Sequence, residues 1–598
     1  MTLAADTDPL RVLHETFGFA GFRGTQEAVV DRVLAGDNTL ALMPTGAGKS
    51  LCYQLPAIVR NGTAIVVSPL IALMHDQIRA ARSVGIRAAS MTSADSDNAQ
   101  TARAMRAGEL DLLYVAPERA TTTGFQSLIE DCEISLFAID EAHCVSEWGH
   151  DFRPDYRGLR PMLDRFDGVP RLALTATADM RTREDILRQL GIGDEGLIVA
   201  GFDRPNIGYH IEPRSQIADQ IAEVIERTPG AGIVYAQSRR ATEDLAEKLG
   251  RTGRPVGAYH AGLSPERRAA TQADFVASEE MVMVATIAFG MGIDKPDVRF
   301  VIHAGLPKSI EAYYQETGRA GRDGDPAEAR MFWSPNDFSR ARQWLADVED
   351  DRLPAERARL SALAALVESA GCRRAILLRH FGEDPPKTCG NCDNCLNPPK
   401  LRNVSEVARK LLSAIYRTGQ SFGIGHVEKV LLGREDERVR ERGHDRLSVF
   451  GIVDEEEASL LRPVMRHLVA HDALATTSHG GLALGSGAKQ VLRGEQDVAI
   501  AQPPEKPRRR RGAGRGSAGT AVPNPVGDPL FDALREKRKS LASEHGVPAY
   551  IIFHDSVLRA MAHERPTTPG SLGRIQGVGA KKLETWGDAF IEVVREFD

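Results

Sequence analysis

A chain of 598 residues is too long for one hydrophobic core and sets an expectation of several domains. Its 42% hydrophobic and 26% charged residues exclude a disordered or fibrous chain. A formal net charge of −7 excludes a globally basic nucleic-acid binder, so any DNA-binding surface must be local. Met1 to Leu10 has no basic-plus-apolar signal, and no apolar run approaches the roughly 20 residues that span a bilayer. A cytoplasmic setting without membrane contact is expected, nucleoid-associated if the source is bacterial. Of seven cysteines, four fall between Cys372 and Cys395, while Cys52, Cys132 and Cys144 are scattered. That pattern suggests a reducing compartment and one metal site, not a disulfide framework.

In chain order, the apolar run Thr39 to Leu42 leads into Met43-Pro44-Thr45-Gly46-Ala47-Gly48-Lys49-Ser50, then Leu51 to Pro56. This reads as strand, glycine-bearing loop and helix. Backbone N–H groups of Thr45 to Ser50 at a helix N-terminus can cradle phosphates. Lys49 would reach the β- and γ-phosphates of ATP, and the Ser50 hydroxyl would hold Mg²⁺. Met43 stands where the strict pattern has glycine, so a second motif is needed. It comes as Asp140-Glu141-Ala142-His143 after the apolar run Ile134 to Ile139. Asp140 at a strand end can hold Mg²⁺ through water, and Glu141 can polarise the attacking water. Together the two motifs predict an NTPase.

Further runs at Ala64 to Val67, Leu112 to Val115 and Arg171 to Leu174 predict βαβ units and a parallel sheet up to about Pro205. The alternation resumes at Gly232 to Tyr235, Met281 to Val284 and Phe300 to His303, without a second phosphate loop. Two α/β lobes closing on one triphosphate is the economical reading. The second lobe ends its motifs at Tyr313 to Gly324, with Gln315, Arg319 and Arg322. An arginine offered across the cleft can neutralise the transferring phosphoryl group, worth roughly 10³–10⁵ in rate.

At this point the chain resembles superfamily 2 helicases and, within them, the RecQ family of DNA helicases. The resemblance implies that Arg23 and Gln26 hydrogen-bond adenine while Phe19 stacks on it; Phe19 stands where tyrosine is common. Ser68 to Gln77 and Tyr114 to Arg119 resemble strand-end motifs lining the DNA track. Thr175-Ala176-Thr177 resembles the coupling motif, and Ala285 to Pro296 the motif sensing both DNA and nucleotide. Tyr235 to Arg239 is a looser match with no assigned role. Cys144 to Pro154 resembles the family's aromatic-rich loop, implying DNA contact by Trp148, His150, Phe152 and Arg153. Trp148 and Phe152 can each stack on an unpaired base for roughly 1–3 kcal/mol, while Arg153 pairs with phosphate. Glu147 replaces the family's usual glutamine, and its charge should oppose DNA entry.

Downstream, Cys372, Cys389, Cys392 and Cys395 have C-x16-C-x2-C-x2-C spacing, which can close a tetrahedral Zn²⁺ site with no open position. The basic helix Arg373 to Arg379 offers a further phosphate contact. This segment resembles the RecQ zinc-binding domain. Val404 to about Gly494 reads as helical with a hairpin at Leu474 to Leu484, resembling a winged helix that docks duplex DNA. The hairpin is short, with His479 near its tip and no aromatic residue, which argues against a strong strand-separating pin. Ala501 to Gly527 reads as a basic linker, either a solvated tether or a mobile phosphate-binding strap. Asp528 to Asp598 resembles the HRDC domain, whose turn Ile575 to Lys582 can approach a phosphate or serve protein contact.

The expectation is an α/β protein. Two RecA-like lobes (1–205 and 206–342) precede a zinc-binding helical module (343–400), a winged-helix domain (401–500), the linker (501–527) and a small all-α HRDC-like domain (528–598). The resemblance implies an ATP-, Mg²⁺- and Zn²⁺-dependent 3′ to 5′ helicase unwinding duplex or branched DNA in repair and recombination. Its implied partners are single-stranded and duplex or branched DNA, with a single-stranded-DNA-binding protein and other repair proteins as candidates. Two other readings stay open: a DEAH-type RNA helicase, and a DNA-binding and annealing protein whose ATPase only regulates affinity.

Overall fold

The computed structural model describes residues 8–93, 95, 97–146, 153–178, 180–289, 295–346, 348, 353–477, 481–501 and 528–597. Two parallel sheets dominate it. The first contains β1 (Thr39–Leu42), β2 (Thr63–Val67), β3 (Ala88–Met91), β4 (Leu112–Val115), β5 (Ile134–Ile139), β6 (Arg171–Thr175) and β7 (Leu197–Val199). Their order is β3-β4-β2-β5-β6-β1-β7. Strands β1, β2, β4 and β5 are buried along their whole length, as a sheet covered on both faces requires. Leu40, Ile65 and Phe137 fill one face. Ala41, Val66 and Leu136 fill the other, under the helices Pro9–Phe17, Gln26–Ala35 and Leu51–Val59.

The second sheet holds β8 (Ile207–Pro213), β9 (Ala231–Tyr235), β10 (Val256–Tyr259), β11 (Val282–Ala285), β12 (Val298–His303) and β13 (Ala327–Trp333). The order β10-β11-β9-β12-β13-β8 again keeps every pair parallel. Residues 200–206 connect β7 of one lobe to β8 of the other.

The helices Leu353–Glu368 and Arg373–His380 lead into the cysteine cluster, which packs on this connector rather than standing apart. Phe381 stacks on Phe202 with ring centroids 4.8 Å apart. Glu383 accepts the Phe202 N–H, and Arg374 donates to Pro205 O at 3.0 Å. Beyond it, helices Ser405–Arg417, Ile424–Leu431 and Glu455–Ala470 carry the expected hairpin, with Leu474 opposite Leu484 in an antiparallel pair. The tip at His479 and residues 502–527 of the basic linker lie outside the described residues, while Ala501, expected to open that linker, ends a short strand and pairs with Leu401. The final helical module, from Pro529–His545 to Ala580–Glu596, has its own core around Leu534, Phe553 and Phe590. No helix among the described residues is long and apolar enough to cross a membrane.

Candidate active site

The phosphate loop and Asp140 follow β1 and β5, and Thr175 ends β6; the three strands are neighbours in the sheet, so all three groups lie at the same carboxyl edge. Open α/β sheets bind ligands at that edge. The loop is held down where Met43 N–H donates to Thr175 O at 2.9 Å. Gly46 and Gly48 adopt φ of +87° and +75°, a left-handed backbone that lets the chain curl ahead of the helix Leu51–Val59. Lys49 Nζ donates to Met43 O at 3.3 Å. Gln26 is buried, and its Nε2 donates to Ala47 O at 2.9 Å while its Oε1 accepts from Arg23 N–H at 2.8 Å. The glutamine expected at the base therefore also links the Phe19–Gln26 segment to the phosphate loop. The Arg23 guanidinium lies 5.9 Å from the Phe19 ring centroid.

Asp140 N–H still pairs with Val67 O at 2.9 Å, and Tyr156 OH holds Asp140 O at 3.0 Å, so this carboxylate stands on a fixed strand end. Glu141 then turns sharply, with φ of 49°. Its Oε2 is buried and has no hydrogen-bond partner, although His143 Nδ1 is 3.3 Å away. His143 Nδ1 lies 3.0 Å from Thr175 Oγ1, tying the Asp-Glu-Ala-His turn to Thr175 to Thr177. Burial, reinforced by the charges of Lys49 and Arg153, pushes the His143 pKa down to about 3, so the ring is neutral. These features fit a nucleotide with a divalent cation. The loop offers N–H groups and the Lys49 ammonium, the side chains of Ser50 and Asp140 offer hard oxygen ligands, and Glu141 Oε2 is buried without a hydrogen-bond partner.

The facing wall belongs to the second lobe. Gln315 lies half-buried on the helix Ile310–Thr317, and Arg319 and Arg322 follow on the turn after it. A methyl group on Gly46 would sit 3.5 Å from Arg322 Cα and Cγ, so this turn meets the phosphate loop directly. Sequence reasoning missed Arg204, whose guanidinium donates to Thr45 O at 2.6 Å and Gly318 O at 3.0 Å.

In the cysteine cluster, all four sulfur atoms lie within 4.8 Å of one another. The pairs Cys389–Cys395 and Cys372–Cys392 are each 3.9 Å apart. The edge of a tetrahedron built on Zn–S bonds of about 2.3 Å is about 3.8 Å, so the set fits Zn²⁺. Burial pushes the Cys392 thiol up to about 11, which a bound cation would reverse. The basic helix beside it does not offer the expected phosphate contacts at its first turn. Arg373 and Arg374 are buried, at 6% and 7% exposure. Arg373 donates to Leu366 O, Val367 O and Asp393, and Arg374 to Pro205 O and Ile207 O. Guanidinium groups committed to buried carbonyls are not available to DNA.

Of the DNA-contact candidates, Trp148, His150 and Phe152 lie outside the described residues, as do Glu147 and residues 290–294. Arg153 is described: its Nη1 donates to Pro69 O at 3.1 Å, joining the loop's end to the Ser68–Gln77 segment.

Comparison with known proteins follows this layout. The DEAD/DEAH box helicase family matches residues 23–186 and the helicase conserved C-terminal domain residues 216–324. The RecQ zinc-binding family matches residues 335–396, the RQC domain 398–509 and the HRDC domain 528–594. An ATP-dependent DNA helicase RecQ of Pasteurella multocida is 41% identical over 605 residues, covering 98% of this chain and 93% of that protein. Its namesake in Haemophilus influenzae is 41% identical over 606 residues, covering 98% and 96%. The Bacillus subtilis counterpart is 36% identical over 596 residues and covers 98% of each chain.

Proposed function

This chain belongs to the RecQ family of ATP-dependent DNA helicases, and from that premise we propose which of its residues drive DNA unwinding in repair and recombination. Thr45 to Ser50 hold the phosphates of ATP, with Lys49 neutralising their charge. Phe19, Arg23 and Gln26 hold the base. Ser50 and Asp140 hold Mg²⁺, which when bound supplies Lewis-acid stabilisation of the phosphoryl oxygens. Glu141 accepts a proton from the attacking water. Arg319 and Arg322 neutralise charge developing on the transferred group, and Gln315 orients that turn. Cys372, Cys389, Cys392 and Cys395 hold structural Zn²⁺.

The observation that carries this reading is the meeting of the Arg319–Arg322 turn with Gly46 across the cleft between two lobes. Closure there assembles the site, and hydrolysis lets it open. Such a cycle converts ATP turnover into alternating grip on a strand. Trp148, His150, Phe152 and Arg153 are the proposed grip, and Arg153's bond to Pro69 O supports a link between that loop and the neighbouring track segment. Opening each base-pair step must overcome stacking of roughly 1.4 kcal/mol. We assign translocation the 3′ to 5′ direction by family resemblance. The same resemblance supports the division into lobes at 1–205 and 206–342, modules at 343–400 and 401–500, a linker at 501–527 and a last domain at 528–598. It also supports a cytoplasmic setting, nucleoid-associated if the source is bacterial, and contact with a single-stranded-DNA-binding protein and other repair proteins.

The test compares ATP hydrolysis with single-stranded DNA and with RNA, then strand separation on 3′-tailed and 5′-tailed duplexes. DNA-selective stimulation with unwinding of the 3′-tailed duplex is expected. Stimulation by RNA alone would favour an RNA helicase, and stimulation without strand separation an annealing protein.

A further inference from the structure

Arg204 occupies the connector between the lobes, in Phe202-Asp203-Arg204-Pro205-Asn206. Its Nη1 donates to Thr45 O at 2.6 Å and Gly318 O at 3.0 Å. Its Nη2 donates to Ala320 O and Gly321 O, both at 2.9 Å. Thr45 opens the phosphate loop of the first lobe. Gly318, Ala320 and Gly321 bracket Arg319 and lead into Arg322 in the second. One planar group thus ties both walls of the cleft through backbone carbonyls. Only guanidinium has the fixed fork of donors that this needs; an ammonium on a flexible stem cannot span four acceptors in this way.

The base of the side chain is pinned too. Tyr314 OH donates to Phe202 O at 2.6 Å on one side, and Arg374 holds Pro205 O at 3.0 Å on the other. Asn206 Nδ2 reinforces the same turn through Gly321 O and Asp325 O, both at 2.8 Å. A methyl group on Gly46 would lie 3.5 Å from Arg204 Nη1 and from Arg322 Cα, so the tie sits where the loop and the arginine turn converge.

We propose that Arg204 is a positioning residue for ATP hydrolysis, setting the aim of Arg319 and Arg322 at the phosphate loop and transmitting hinge motion to them. Both of its Nη atoms are committed to backbone carbonyls, so its loss should lower turnover more than ATP affinity. A misplacement of about 1 Å in a catalytic group costs on the order of 10²-fold. The inference rests on the ATPase reading above.

Arg204→Ala and Arg204→Lys are assayed in the full-length protein at saturating single-stranded DNA, with kcat and KM for ATP separated and melting followed alongside. The expected result is a kcat reduced on the order of 10²-fold with KM close to wild type. Low-millimolar guanidinium should restore part of the Arg204→Ala rate where matched potassium chloride does not, and Arg204→Lys should not restore it. A folded Arg204→Ala with wild-type kcat, or with a loss that guanidinium leaves untouched, would overturn the proposal. If Arg204→Ala does not fold, Arg204→Lys carries the test, and wild-type kcat in that variant overturns it equally. Failure of the ATPase reading would show separately, as wild-type protein without DNA-stimulated hydrolysis or as Lys49→Ala retaining it.

Discussion

Glu141 stands on a left-handed backbone at φ 49°, a conformation that costs a non-glycine residue roughly 1–2 kcal/mol. One oxygen of its carboxylate is buried without a hydrogen bond. Glu141→Gln keeps the shape and removes the proton acceptor. It should bind ATP normally and lower kcat by roughly 10²–10⁴, measured by nucleotide binding beside single-turnover hydrolysis. Lys49→Ala should abolish hydrolysis while DNA binding persists, because the proposed role of Lys49 is at the phosphates of ATP and not at the DNA-contact loop. His143 supports a pH prediction. Its folded pKa lies near 3 against an ordinary 6.5, so on acidification the unfolded chain takes the proton first. Stability tied to this neutral ring is complete above about 6.5 and is lost as pH falls towards 3. Thermal melts at several pH values should show a shallower acid decline for His143→Asn than for wild type; parallel curves would remove His143 from the account. Phosphate-loop, Asp-Glu-Ala-His and cysteine motifs were legible in the sequence because their chemistry demands fixed residue types at short spacing. Gln26 to Ala47 spans 21 residues and Arg204 to Thr45 spans 159, so only the fold reveals those ties.

The strands that were legible are those buried on both faces, such as β1, β2 and β5, whose apolar runs stand out against polar helices. The strands of the two parallel sheets that were missed are β3, β7, β8, β10 and β13, most of them at sheet margins. Ala-Ala-Ser-Met in β3 and Val-Gly-Ala-Tyr in β10 are partly exposed and carry small residues, while β8 and β13 interleave charged or polar groups. The helix Arg373–His380 shows why composition misleads: Arg374 braces the connector through Pro205 O, and Arg373 ties the module to itself through Leu366 O, Val367 O and Asp393. His380 adds a 2.6 Å contact to Glu311, on the helix that leads to Arg319. The zinc module should therefore support catalysis as well as stability. Cys392→Ser should lose about one zinc per chain and lower DNA-stimulated ATPase, measured by metal analysis and steady-state rates. Phe381→Ala should cost about 3–5 kcal/mol of stability through loss of its buried stack on Phe202. A zinc-free protein with normal turnover would show that the module only docks.

Across the whole molecule, the last domain folds back on both lobes. Gly577 N–H donates to Gly18 O at 2.7 Å, beside the Phe19–Gln26 segment. A methyl group on Gly18 would approach Gly579 N to 2.4 Å, so the two backbones touch. Arg535 and Arg538 pair with Glu279, and Arg559 meets Asp325 at 2.7 Å. The glycine turn read as an anion site is thus engaged with protein. Glu279→Lys should repel Arg535 and Arg538 and release the domain, seen as an increase in radius of gyration by small-angle scattering; an unchanged radius would show that the glycine contact alone suffices. The proposed function makes strand separation depend on ATP turnover at the cleft between the two lobes. The most direct test of that claim is strand separation of a 3′-tailed duplex under single-turnover conditions, with wild type and Lys49→Ala at equal DNA occupancy. Wild type should separate the strands only with ATP and Mg²⁺, and Lys49→Ala should bind without separating them. Equal strand separation by the two proteins, or separation without ATP, would contradict the account.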